Sequence, residues 1–319
     1  MQRRRFLGLV GGAAAWPLTA RAQQVMMPVI GSLHVGSPSL NFSAFDKGLA
    51  QQGYVFGKNV IREARFAQGK HDRLPELAKE LVSLNPALIV TPGNVVSVAV
   101  RRVTSTIPIV FIIASDPTKI GLAKGLAQPG GNATGVSMLT ASLTIKRLEL
   151  IRELLPSHAT VGLLVNPDNN ELLSELERIA RSTGQSLEVA RARNPEDLEP
   201  AFAQLVRARV GAVLVSNDAG FLDQREQIVA LAKRHSLPAT YEFREFCAVG
   251  GLMSYGPSVT GAQQKAGTYA ALILKGARPG DLPIQQPTEF ELVINSATAR
   301  SLDLQIPPSL LLRANELID

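Results

Sequence analysis

Five short apolar runs recur along the chain: Val29–Leu33, Ala87–Val90, Ile109–Ile113, Val161–Val165 and Ala212–Val215. Each is bounded by turn residues. Their length and unbroken apolar character predict strands covered on both faces. Between them, apolar positions repeat at helical spacing. Leu40–Gln52 carries Phe42, Phe45 and Leu49 on one stripe, and Leu74–Leu84 carries Leu74, Leu77, Ala78, Leu81 and Val82. Leu222–His235 does the same with Ile228, Val229, Leu231 and Ala232. Strands alternating with amphipathic helices predict an α/β chain built on parallel sheets.

The pattern also repeats on a larger scale. Ala87–Asn94 and Ala212–Asp218 are both apolar strands ending in small polar residues, and in each case a later proline (Pro108, Pro238) opens a further strand. Two doubly wound, Rossmann-like lobes of one plan explain this better than one large sheet. Such sheets bind ligands outside the carboxyl ends of their strands. The candidates by position are therefore His34 and Ser37, Asn94, Ser115 and Asp116, Asn166 with Asp168, Asn217 and Asp218, and Tyr241 with Glu242. Gly250–Gly256 reads as the strand carrying the chain back to the first lobe and adds Tyr255.

The acids among these suit a cationic group. Asp116 and Asp218 stand at equivalent edges of opposite lobes, so closure would bring both onto one ammonium. Ser115-Asp116-Pro117 and Asn166-Pro167-Asp168 read equally as helix N-caps, Asp168 more so than as a contact. Helix N-termini after Ser37 or Asn94 would take a ligand carboxylate, with Arg244 also available. Tyr241, Phe243 and Tyr255 would stack on an apolar part of the ligand, with Phe246 in the core.

Composition trims the choice of partner. The chain opens with Arg3-Arg4-Arg5, an apolar stretch and Ala20-Arg21-Ala22, the layout of a cleaved signal peptide. Arg3-Arg4-x-Phe6-Leu7 also resembles the twin-arginine address. The chain holds 33 basic and 27 acidic residues; losing Arg3, Arg4, Arg5 and Arg21 leaves 29 against 27. No clustered basic patch then remains for nucleic acid, and the product is expected to be exported without inserting in the membrane. The lone cysteine, Cys247, excludes an internal disulfide and reads as a small buried hydrophobe.

Chemistry is expected to be absent. His71, His158 and His235 read as surface residues, and His34 alone lies at a strand's carboxyl end. No Gly-x-Ser-x-Gly elbow accompanies it. Gly31–Ser37 lacks the dinucleotide-binding glycine spacing, Gln128–Asn132 reads as a turn, and no His/Cys/Asp cluster has metal-ligand spacing. No cofactor is expected.

Several strings in order resemble a known family. They are Ile107-Pro-Ile-Val-Phe followed by Ser115-Asp116-Pro117, Leu126–Ser137, Tyr241–Phe246 with Gly250–Gly256, and Glu291–Asn295. Together they resemble the substrate-binding proteins of ABC importers, specifically the tryptophan/tyrosine-type periplasmic binding proteins, over essentially the whole mature chain. The resemblance implies a type I periplasmic binding fold: two lobes, three hinge strands near 135–138, 252–255 and 285–288, and a small ligand clamped between. It implies a signal peptide over 1–22, a first lobe of 23–136 plus 254–285, and a second of 137–253 plus 286–319. An inner-membrane ABC permease and its ATPase are the implied partners. The chain departs from the family around Ser216–Asp218, so a particular amino acid does not carry over. A sensing module feeding a signalling partner is the rival reading, and an enzyme the weakest.

Overall fold

The structure, a computed structural model, describes residues 27–36, 42–138, 140–156, 159–168, 178 and 186–319. The expected signal segment, Ser37 and His158 lie outside the described residues. In chain order the first lobe runs β1 (Val29–His34), α1 (Ser43–Ala50), β2 (Ile61–Phe66), α2 (Leu74–Ser83), β3 (Leu88–Pro92), α3 (Asn94–Val103), β4 (Ile109–Ile113) and β5 (Ala133–Ser137). These strands form a parallel sheet in the order β2-β1-β3-β4-β5.

The second lobe follows with α4 (Thr144–Arg152), β6 (Val161–Val165), β7 (Leu187–Arg191), α5 (Leu198–Arg207), β8 (Ala212–Val215), α6 (Ala219–Asp223), α7 (Arg225–Arg234), β9 (Ala239–Tyr241), α8 (Arg244–Ala248) and β10 (Met253–Gly256). Helix α9 (Val259–Leu274) returns to the first lobe and packs along α1. Strands β11 (Glu291–Asn295) and β12 (Glu316–Ile318) complete a seven-stranded sheet, β12-β11-β10-β9-β8-β6-β7. Among the described residues only the β10–β11 pair is antiparallel.

All five apolar runs form strands, because burial on both sheet faces needs no polar alternation. β6 is buried at every position. Two strands, β2 and β7, fall in charged stretches at the sheet edges, where one face meets water. The stripe over Leu222–His235 is interrupted: α6 ends and α7 begins at Gln224, whose φ of −92° and ψ of 14° break the helix. The α1–α9 contact is close because Gly267 lacks a side chain; a Cβ there would lie 2.1 Å from the Phe45 carbonyl oxygen.

The chain passes between the sheets after β5, after β10 and before β11. Two of these passages are tied together. Gln285 N–H donates to the Gly135 carbonyl at 2.9 Å, and Ser137 N–H donates to the Gln285 carbonyl at 2.9 Å. Across the cleft the lobes touch. His71 Nδ1 lies 3.1 Å from Asp168 Oδ2, and the Gly36 N–H donates to the Asp223 carboxylate. Gly36 is required there, since a Cβ would fall 1.9 Å from Asp223 Oδ2.

Candidate functional site

A cavity of about 180 Å³ lies between the lobes, and its two sides differ in character. From the first lobe, β1 presents Ile30, Ser32 and His34, which share one face by the two-residue period of a strand. Phe42, Phe45 and Phe56 add an aromatic wall, with Val90 and Ile112 behind. Arg62 also lines it, placed there by pairing: β2 lies in register with β1 so that Arg62 stands beside Ile30. Its guanidinium sits 4.7 Å from the Phe42 ring centre and 4.0 Å from that of Phe56, and pairs with Asp46. Stacking and an ion pair hold this cation in a fixed place.

The second lobe contributes acids. Asp168, Asp218, Asp223 and Glu242 all line the cavity, with Asn217 and Phe243. Asp218 caps α6: its Oδ1 accepts from the N–H groups of Gly220 (2.9 Å) and Phe221 (3.2 Å), and its Oδ2 accepts from Asn166 Nδ2 at 3.1 Å. The residue keeps some exposure toward the cavity while its carboxylate is packed among protein atoms. Burial raises its pKa; the nearby His71, the two N–H groups and Asn166 oppose that rise.

Burial also pushes Glu242 up to about 8, with Asp218 and Glu245 adding and Arg147 opposing. Asp223 is pushed up to about 7, first by burial and then by the charge of Asp218, against Arg225 and the Gly36 N–H. His34 is held down at about 3 by burial and by Arg62, so its imidazole is neutral. Behind the floor, the fully buried Arg147 donates from Nη2 to Thr144 Oγ1 (2.8 Å) and the Thr140 carbonyl (3.3 Å), and its Nη1 lies 3.9 Å from Glu242 Oε2. Asn217 Nδ2 donates to Thr140 Oγ1 at 2.5 Å, joining the same group.

These carboxylates fix a pH dependence. Their folded-state pKa values lie above the ordinary carboxylate range, so the unliganded protein binds more protons than the unfolded chain between about pH 4.5 and pH 8. Its stability is complete below that window and falls as pH rises through about 7 and 8. Affinity for a cation moves the other way, because the cation needs the ionised acids. Titration calorimetry with an amine ligand should give affinity rising about tenfold between pH 6.5 and 8.5, with protons released into the buffer. A flat profile would remove Glu242 and Asp223 from the binding charge.

The structure brings together some of the residues that strand position singled out. His34, Asn94, Asn217, Asp218 and Glu242 line the cavity. Asn94 is also a brace: its Nδ2 donates to Ser115 Oγ at 2.8 Å, and its Oδ1 accepts from the Ala114 N–H at 3.1 Å. Ser115 thus supports Asn94, as Asn166 supports Asp218. Asp116 does not line the cavity; its Oδ1 is held by the Thr118 N–H (2.9 Å) and hydroxyl (2.7 Å), a local turn. Tyr241 is buried in the core, stacked on Phe246 with ring centres 4.6 Å apart, and Tyr255 packs toward Phe290. Of that aromatic set Phe243 alone reaches the cavity. Arg244 pairs at the surface with Glu316 at 2.5 Å.

His71 departs from its expected surface position, whereas the capping role expected of Asp168 falls on residues outside the described ones. Asp168 lines the cavity and is held by Arg193 at 3.0 Å, and His71 faces it across the cleft with its side chain 8% exposed. His235 terminates α7 as expected. Arg62, Asp223 and Ser32 are lining residues that strand-end reasoning did not reach. Cys247 is buried, its thiol pushed up to about 12. Among the described residues no group of His, Cys, Asp and Glu is placed to hold a metal ion, and no helix is long and apolar enough to cross a membrane.

Comparison with known proteins agrees with the two-sheet α/β fold. Residues 29–318 match the family described as ABC transporter substrate binding protein. The chain is 27% identical over 277 residues to the tyrosine-binding protein of Clostridioides difficile, covering 85% of this chain and 79% of the relative. Among solved structures it is similar to a conserved domain protein from Vibrio cholerae, with a TM-score of 0.79 and 28% identity, over 91% of this chain and 99% of the other. It is also similar to an ABC domain from Streptococcus pneumoniae in complex with L-Trp, with a TM-score of 0.78 and 25% identity, over 91% and 99% of the two chains.

Proposed function

This chain belongs to the ABC transporter substrate binding protein family, and from that premise we propose that it is an exported receptor clamping an amino acid or a related amine–carboxylate compound. The observation that carries the reading is the split cavity. Four acids on the second lobe face three phenylalanines on the first, with Arg62 the one arginine or lysine among the described lining residues. A ligand ammonium takes Asp218 and Glu242, where each charge-assisted hydrogen bond contributes about 1.5–3 kcal/mol. An apolar or aromatic body lies against Phe42, Phe45 and Phe56. The carboxylate meets the start of α3, where Gly93, Asn94 and Val95 line the cavity and the helix dipole favours an anion. The similarity to proteins named for tyrosine and solved with L-Trp supports an aromatic amino acid.

Contacts made by both lobes exist only when they are together, so ligand shifts an open–closed equilibrium about the three passages between sheets. The closed pair of lobes is the form handed to an inner-membrane permease and its ATPase. Binding rather than turnover is the expected outcome, since among the described lining residues no activated nucleophile stands beside a base.

Thermal unfolding against a panel of amino acids, aromatic acids and amines tests this reading. A true ligand at 100 times its Kd stabilises by about 2.7 kcal/mol, a midpoint rise of roughly 5–10 °C. A panel without any shift would sink the amino-acid reading. Export through the twin-arginine route is proposed from Arg3 and Arg4. Replacing both by lysine should strand the precursor in the cytoplasm, and normal periplasmic recovery of that variant would count against the route.

A further inference from the structure

Two buried polar side chains on the first lobe face the cavity with nothing to bond. Among the described residues, Ser32 Oγ and both ring nitrogens of His34 have no hydrogen-bond partner. Ser32 is 6% exposed and His34 2%, and both line the cavity. They stand two residues apart on β1, on the same face as Ile30. The imidazole is fixed by its neighbours: Phe66 stacks on it at 5.2 Å and Phe42 meets it edge-on at 4.9 Å. A rigid, desolvated imidazole without a partner is a strained arrangement unless something polar enters the cavity to meet it.

We propose that Ser32 and His34 form a specificity subsite for an uncharged hydrogen-bonding group at the apolar end of the ligand, a phenolic hydroxyl being the simplest case. The inference rests on the amine–carboxylate reading and names which ligand of that class is preferred. A neutral imidazole offers one donor and one acceptor, and a serine hydroxyl offers both. Together they match a hydroxyl or a ring N–H and do not match a charge. The nearby cation does not change this, because Arg62 is already engaged by Asp46 and flanked by Phe42 and Phe56. The surrounding wall of Ile30, Phe45 and Phe56 is apolar, so a ligand lacking the group leaves both side chains dry and unpaired. Such a site discriminates chiefly by what it leaves unsatisfied.

Titration calorimetry with L-tyrosine and L-phenylalanine, which differ by that hydroxyl alone, decides the matter. The native protein should bind tyrosine about tenfold to a hundredfold more tightly, the ratio expected when a buried polar group is left unpaired. Ser32→Ala and His34→Leu should each weaken tyrosine binding while leaving phenylalanine unchanged or tighter, moving the ratio toward one. Equal affinities in the native protein overturn the subsite, as does a ratio that neither variant changes. If His34→Leu fails to fold, Ser32→Ala alone decides, since it removes one oxygen from a strand otherwise intact. Failure to bind either amino acid overturns the subsite, while the amine–carboxylate reading falls only if the wider panel of amino acids, aromatic acids and amines is silent as well.

Discussion

Asp218→Asn is expected to weaken binding of an amine ligand by about tenfold to a hundredfold, the loss of one charge-assisted hydrogen bond worth about 1.5–3 kcal/mol. The substitution is chosen because asparagine keeps the capping oxygen. Gly220 and Phe221 can still donate to it, so α6 retains its start. Thermal unfolding without ligand should stay within a few degrees of the parent, which separates a binding defect from a folding one. Asp116→Asn serves as the contrast: its carboxylate is occupied by Thr118 and does not line the cavity, so affinity should be unaffected. The reverse outcome, with Asp116 mattering and Asp218 not, would sink the site as drawn.

Measured above about pH 8, where Glu242 is ionised beside it, Arg147→Met is expected to lower stability by about 3–5 kcal/mol, the cost found when one member of a buried ion pair is removed. In a chain of this size that is a fall in midpoint on the order of 10 °C. Arg147 is fully buried, and Glu242, 5% exposed, lies 3.9 Å away. Without the guanidinium, the charges left acting on the buried carboxylate are those of Asp218 and Glu245, and the Thr140 carbonyl loses a donor. Adding Glu242→Leu to the same chain should restore part of the loss, because the orphaned charge then disappears. A single variant as stable as the parent would show that desolvation already cancels the pair. The second substitution also removes a cavity acid, so recovery should appear in unfolding and not in ligand affinity.

Part of this arrangement is legible in the sequence. The runs Val161–Val165 and Ala212–Val215 form strands because their signal is local and the parallel sheet demands apolar residues at each position. The repeat from Ala87–Asn94 to Ala212–Asp218 placed Asn94, Asn217 and Asp218 at strand ends, and all three line the cavity. Strand-end position follows from chain order, and chain order is written in the sequence.

What the tertiary structure alone decided is where each side chain points and what stands opposite it. Asp116 and Asp218 carry the same local signal, an acid directly after a strand, yet one closes a turn on Thr118 and the other caps α6 toward the cleft. Tyr241 and Phe243 are two residues apart, and only the second reaches the cavity. Arg62 belongs to no motif; pairing of β2 with β1 in a single register carries it beside Ile30. Asp223 reaches the site because the lobes meet at Gly36, a contact between residues far apart in the chain. Periodicity encodes which residues are buried, since burial depends on neighbours within a turn or two of the chain. Facing and charge balance depend on non-local pairing, which no short stretch of sequence contains.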